Sequence, residues 1–418
     1  MARPRATPVR AVAQSARGPR GSCSRMPPPM AYNTAMKRSK HSLFRLSPDI
    51  EPVRHRRGAA ASELVDLLGG TCFEARVIAR GARLWKTMID AGDAIWLGIA
   101  GAGIAGGLGG LVIQCIEKGF VDVICTTGAQ AYHDLHFAFG LPVKAVSPHA
   151  DDDELRRRGD TRIYDIGIRE KETLEAQDEL ICRFVRERGA ALGAAPLASP
   201  HFMMLLGRWV LDRAPHPGKS FVAAAARRGV PVFWDSFTNH SIAMNVTRME
   251  LEGFPLRFSP QDDIVLSAAL ACADHDLGFV ELGGGGPKNF IQQTGPTLSQ
   301  IFGVPYEGAS RGIQITTANV REGSLSSCTF GEAVTWGKYE AADEAKLVQI
   351  WGEYSAVFPL LAAYVIDRCK ARRPRRLFDR MDALGAELRA RVARRLARQA
   401  PPPPGRRARR RKSAGGKA

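Results

Sequence analysis

The stretch from Asp93 to Thr126 constrains this chain more than any other. Asp93-Ala-Ile-Trp-Leu-Gly-Ile-Ala100 is a short apolar run with the composition of a buried strand. The glycine-rich turn Gly101-Ala-Gly103-Ile-Ala-Gly106 follows, then a helical pattern from Leu108 to Lys118, then the strand-like Val121-Asp-Val-Ile-Cys-Thr126. Two strands joined through a helix at this spacing lie parallel, with a right-handed crossover. The pattern recurs: Ser220 to Arg228 reads as a helix leading into Val230-Pro-Val-Phe-Trp234, and Ile264 to Ala273 as a helix leading into Gly278-Phe-Val-Glu-Leu282. The fold class this predicts is α/β, a Rossmann-like open parallel sheet with helices on both faces and basic tails outside it.

Charge marks those tails. Residues 1–58 hold 13 Lys and Arg against 2 Asp and Glu, residues 366–418 hold 19 against 4, and the stretch between them is acidic by nine charges. Such a body is compatible with a cationic substrate and disfavours a phosphate backbone at its surface, so a nucleic-acid partner is expected only weakly and through the ends. Residues 1–40 read as a disordered basic extension, with Met26, Met30 and Met36 as alternative starts, and residues 401–418 as a disordered basic tail. Between the body and that tail, 366–400 holds an Arg-rich amphipathic helix. Leu377, Met381, Leu384, Leu388, Val392 and Leu396 form a narrow aliphatic stripe suited to packing on the body. No apolar run reaches the roughly 20 residues that cross a bilayer. The eight cysteines are scattered without a CxxC, which suggests reduced thiols and a cytoplasmic protein with no membrane partner.

Three turns fall at predicted strand ends, where open parallel sheets bind ligands: Gly101 to Gly106, Thr126-Thr-Gly128, and Gly283-Gly-Gly-Gly286. A GxGxxG between strand and helix lets backbone approach a pyrophosphate, and an ordinary tight turn is the plainer reading of each. Asp122 is the only match to the acidic residue that usually follows such a turn, and it starts the next strand instead of ending it. Asp151-Asp-Asp-Glu154 fits a cation site or a helix cap, and the cap is favoured. His133 and His136 lack further partners for a tetrahedral metal set, so no metal is expected. Asp235, Asn239 and His240 follow the strand ending at Trp234 and mark a possible binding edge. Lys338 follows Trp336-Gly. A lysine held dry against that indole would have its charged form disfavoured, as an amine nucleophile requires.

The segment Glu332-Ala-Val-Thr-Trp-Gly-Lys338 resembles the active-site signature of deoxyhypusine synthases, and the family is also matched by Val121 to Thr127, Leu282-Gly-Gly-Gly and Val357-Phe-Pro-Leu-Leu361, in order, from about residue 45 to 365. The resemblance implies that 41–365 is an NAD-binding catalytic domain. In it an aminobutyl group passes from spermidine to an enzyme lysine as an imine and then to an acceptor amine, the cofactor NAD carrying the hydride. It implies Lys338 as the covalent amine, with Glu332, Trp336, His133 and Asn289 around the substrate. It implies NAD contacts at Gly101, Gly103, Ala105, Thr126, Thr127, Gly128, Asn239, Gly283, Gly284, Thr317, Ala318, Ser324, Ser326 and Glu353, and a homotetramer.

The departures from that pattern are specific. Asn289 stands where the family has a catalytic histidine, His133, Met244 and Leu325 stand where it has carboxylates, and Asn239 stands where it has an aspartate. This resembles the bacterial deoxyhypusine synthase-like branch. The implied activity is an NAD-dependent aminoalkyl transfer to a small amine or polyamine, with homospermidine formation from putrescine as one candidate. The alternative is modification of a lysine on a translation factor, and a nucleic-acid-associated protein ranks behind both.

Overall fold

A computed structural model describes residues 48–50, 52–273 and 276–399. The chain divides into Met1–Pro48 and Asp49–Ala418, and the architecture below is that of the second unit. The expectations for residues 1–40 and 401–418 lie outside the described residues, apart from the boundary at Pro48.

The described residues form nine strands: β1 (Ala94–Ile99), β2 (Val123–Thr126), β3 (Val143–Ala145), β4 (Asp160–Ile163), β5 (Ile166–Arg169), β6 (Val232–Trp234), β7 (Leu277–Leu282), β8 (Arg311–Thr316) and β9 (Leu347–Trp351). Six of them form one all-parallel sheet in the order β6-β2-β1-β7-β8-β9. Counting only these six in chain order gives 3-2-1-4-5-6, the order of a doubly wound dinucleotide-binding sheet, whose direction of winding reverses between β1 and β7. Helices cover both faces. Ile95, Leu97 and Ile99 point into one layer with helices Phe73–Ala91, Phe221–Arg228 and Tyr354–Arg368, while Ala94 and Trp96 point into the other with Pro260–Ala273 and Phe378–Gln399. That alternation is the two-residue period of a strand with both sides buried. The predicted α/β class is therefore the observed one.

The second layer depends on Gly98 in the middle of β1. A side chain there would press on Ile291, and the backbone of Pro287 and Lys288 lies 3.6 Å from its Cβ position, so its absence lets the helix Gly285–Gln292 lie against the strand.

Sequence patterning misses the second sheet, a small antiparallel one in the order β3-β5-β4. Its strands are three or four residues long and half buried, with Asp160, Arg162 and Arg169 among them, so no clean alternation marks them.

The amino-terminal rim of the main sheet is tied by ions. Asp122 accepts from the Ile95 N–H at 3.0 Å and from Arg372 at 3.0 Å, and Asp93 accepts from Arg311. Arg372 also donates to the carbonyls of Asp93 and Gly119. Asp122 is therefore a fold residue at the amino-terminal rim, just before β2, where the sequence placed it. The helix Phe378–Gln399 buries Met381, Gly385 and Leu388, its Gly385 meeting Leu266 of Pro260–Ala273, whereas Leu396 at its far end is 57% exposed. No helix among the described residues is long and apolar enough to cross a membrane, and the seven described cysteines are unpaired.

Candidate active site

All six parallel strands end at one rim, so each sends its following loop to the same place. Gly101, Gly103 and Ala105 follow β1, Thr127 and Gly128 follow β2, Asn239 follows β6, and Gly283 and Gly284 follow β7. Thr317, Ala318, Ser324 and Ser326 follow β8, and Glu353 follows β9. Residues scattered over 250 positions are thus gathered by topology alone.

Their side chains have unequal freedom. Thr126 is fully buried and donates to the Ile99 carbonyl, so its hydroxyl belongs to the fold. Thr127 caps the helix Gly128–Phe139 by accepting from the Gln130 N–H at 3.3 Å, and Ser324 accepts from the Ser327 N–H at 3.2 Å. Glu353 caps Tyr354–Arg368 by accepting from the Ser355 N–H at 2.8 Å, and the Gly285 N–H donates to Ser326 Oγ at 2.8 Å. Asn239 and Thr317 are exposed.

The first turn departs from a standard nucleotide-binding turn. Residues Ile104–Leu108 form a wide π turn with Gly107 at φ 91°, and the regular helix begins only at Gly109. The Gly103 N–H donates to Tyr354 Oη at 2.6 Å and the Ile104 N–H to Gln130 Oε1 at 3.0 Å. Two amides expected to face a pyrophosphate are therefore taken by the chain's own side chains. The turn still lines a cleft of about 740 Å³, between Gly101–Leu108, Glu353 and the small sheet's Tyr164, a size that takes a cofactor. Nothing lies within 4 Å of a Cβ position at Gly107, so the cleft is open there, whereas Gly101 and Gly103 face Tyr354.

Lys338 lies in the second layer, beneath helix Gly285–Gln292. Thr329 caps the helix Phe330–Thr335, Gly337 turns the chain at φ 69°, and the Lys338 N–H donates to the Ala333 carbonyl at 3.1 Å. Its own carbonyl accepts from the Ala309 N–H at 3.0 Å. The segment passes so close to Gly295 that a Cβ there would stand 2.3 Å from the Gly337 oxygen. Lys338 is 8% exposed, and its Nζ donates to Asn289 Oδ1 at 3.1 Å. Burial pushes its amine below the ordinary lysine value; Cys328 opposes this and Lys288 adds to it. The expected dryness is present, but not from the expected source: Trp336 is 61% exposed, and the lysine is covered by the packed chain instead.

A polar network that sequence reading missed continues below. Lys288 donates to Gln314 Oε1 at 2.9 Å and to the Cys328 carbonyl at 2.7 Å. The fully buried Glu281 accepts from Gln292 at 2.7 Å and from Tyr339 Oη at 3.1 Å, and burial raises its carboxyl. The available signal was weak: a glutamate inside the apolar run of β7, and a lysine directly after four glycines and a proline.

The remaining candidates divide. Glu332 is exposed on its short helix. His133 packs edge-on against Tyr132 and His136, its Nδ1 3.0 Å from His136 Nε2, and the other nitrogen of His136 meets Gln177 at 3.3 Å. Both nitrogens of His136 are therefore engaged within the chain. Met244 and Leu325 are 61% and 51% exposed. Asp151 accepts from the N–H groups of Asp153 and Glu154, as a helix cap does.

The family model described as deoxyhypusine synthase matches residues 63–365. A Methanosarcina acetivorans protein named "Probable deoxyhypusine synthase 2" is 33% identical over 77% of this chain and 90% of its own length. A "Deoxyhypusine synthase-like protein" of Nostoc punctiforme is 33% identical over 72% of this chain and 78% of its own. Among solved structures, the "putative deoxyhypusine synthase" of Entamoeba histolytica superposes with a TM-score of 0.51 at 16% identity, over 78% of this chain and all of that one. At that identity the superposition speaks for the fold.

Proposed function

Because the chain belongs to the deoxyhypusine synthase family, a family of aminobutyl-transferring enzymes, we propose that it moves an aminoalkyl group from a polyamine to an amine acceptor through an imine on Lys338. The observation that carries this reading is the state of that lysine, 8% exposed, with its Nζ on a neutral amide and its charged form disfavoured by burial. An amine attacks an imine carbon only when it is unprotonated, and burial is the physical means of keeping a lysine so.

When bound, NAD would supply an acceptor for the hydride of the carbon beside the donor nitrogen and a hydride source for the product. Gly101, Gly103, Ala105, Thr127, Gly128, Asn239, Gly283, Gly284, Thr317, Ala318, Ser324, Ser326 and Glu353 would hold it along the rim, and the open glycine cleft is the feature that fits it. Lys338 Nζ then bonds to the donor's oxidised carbon as that carbon's original amine leaves. The acceptor amine displaces Lys338 in turn. Asn289 keeps the amine in place but, being an amide, exchanges no proton, so Lys338 and the reacting amines must pass protons among themselves. Trp336 and Glu332 would flank the substrate as apolar wall and anion, and His133 would replace a carboxylate with a neutral ring, since burial lowers its pKa. Putrescine as acceptor would make the product homospermidine. A homotetramer in the cytoplasm completes the proposal.

Incubation with NAD and spermidine, or with NAD and putrescine, followed by borohydride and peptide mapping, tests it. An aminobutyl mass on the Lys338 peptide is expected, and no adduct with either amine overturns it.

A further inference from the structure

The loop after β6 carries a carboxylate with one oxygen that no described residue satisfies. Asp235 is the first residue past Trp234, and its N–H donates to the Thr126 carbonyl at 3.3 Å, which fixes it at the rim beside β2. Its Oδ1 is buried and has no hydrogen-bond partner among the described residues. Its Oδ2 overlies Gly286, where an added Cβ would meet it at 1.9 Å. Gly286 and Asn289 are three residues apart on the helix Gly285–Gln292, a spacing of roughly 5–6 Å between side-chain positions on one face. Asn289 in turn holds Lys338. A half-buried carboxylate therefore lies about one helical turn from the amide that positions the reactive amine.

A carboxylate in such a place is costly without a counter-ion. Burial pushes Asp235 up to about 6, and among the described residues no cationic side chain pairs with it. A ligand that brought a positive charge would relieve that cost, and the glycine at 286 is what lets the carboxylate lie against this helix.

We propose that Asp235 receives the distal ammonium of the amine substrate. The substrate class is then a short α,ω-diamine, or the end of a polyamine, with one nitrogen at Lys338 and the other on this carboxylate. The proposal rests on the reading of Lys338 as the imine-forming amine, and it restores at a different position an anion of the kind that His133, Met244 and Leu325 do not provide.

The test uses the full chain with NADH, so that amines are not oxidised. Calorimetric titration of 1,4-diaminobutane is compared between the wild type and Asp235→Asn, with trapping of neutral butanal at Lys338 by borohydride as the control. A dissociation constant at least tenfold weaker in the variant, with butanal trapped to the same extent, is the expected result. Equal diamine affinity overturns the proposal, and so does loss of both readouts, which would make Asp235 a fold residue. Should Asp235→Asn not fold, Asp235→Ser is titrated in its place. If wild-type Lys338 traps no butanal, the imine reading falls by itself, and the diamine comparison still decides the role of Asp235.

Discussion

Nζ of Lys338 donates to Oδ1 of Asn289 across 3.1 Å. An amide oxygen accepts from a neutral amine and an ammonium alike, so this partner orients the lysine without fixing its charge, and burial lowers its pKa toward the neutral form.

Replacing that amide by a carboxylate should reverse the balance. The rate of butanal trapping at Lys338 should rise with pH in the wild type, with an inflection below the ordinary lysine value, because only the neutral amine reacts. In Asn289→Asp the inflection should move up by about one pH unit or more, since an adjacent anion favours the ammonium. Lys338→Met should trap nothing at any pH. Trapping rates measured from pH 6 to 10 check this, and an unmoved inflection in Asn289→Asp would refute it.

Gly295 should tolerate no side chain. An alanine there would drive its Cβ to 2.3 Å from the Gly337 oxygen, a backbone atom that yields only if the lysine segment shifts. Gly295→Ala should lose about 1–3 kcal/mol of stability and most of its trapping rate. Urea unfolding and the trapping assay on the same preparation test both effects.

Arg372 should matter for folding and not for chemistry. It is 17% exposed and pairs with Asp122, itself 3% exposed, while two more of its nitrogens satisfy the Gly119 and Asp93 carbonyls. Arg372→Ala removes one of two guanidiniums from the buried Asp122, Arg375 remaining at 3.8 Å, and should cost about 1–3 kcal/mol. Per folded molecule its trapping rate should equal that of the wild type.

His136 gives the protein a vulnerability to acid. Burial, with His133 adding to it, lowers its pKa to about 3, against about 6.5 in an unfolded chain. A depressed folded-state value means that the unfolded chain takes up the proton first. The stability from neutral His136 is therefore complete above pH 6.5 and is lost as pH falls toward 3, by about 2 kcal/mol at pH 5. Removing the group in His136→Gln removes this loss, so its stability deficit against the wild type should be smaller at pH 5 than at pH 7. Paired urea titrations at the two pH values measure it. Asp134, raised by burial to about 7, works in the opposite sense in both proteins and cancels in the comparison.

The core of the sheet was legible in the sequence because β1 and β7 are buried on both faces and read as uninterrupted apolar runs. The glycine turns and Lys338 were legible as local patterns. What could not be read was anything set by approach in space. Tyr354 capping the first turn, Lys288 reaching Gln314, and Trp336 lying open instead of covering its neighbour are each decided by segments tens or hundreds of residues away. The short half-polar strands β3, β4 and β5 escaped for a simpler reason, since three or four residues hold too few periods to show one.

The two rims of the main sheet follow different rules. At one, Asp93, Asp122, Arg311 and Arg372 satisfy one another and hold the strands in place. At the other, neutral hydrogen bonds such as Gly103 N–H to Tyr354 Oη and Gly285 N–H to Ser326 Oγ join the loops. The two sets of contacts share no residue, so a substitution among the loops leaves the ion pairs of the first rim intact. A lineage that loses its original substrate keeps an intact scaffold on which another can be tried.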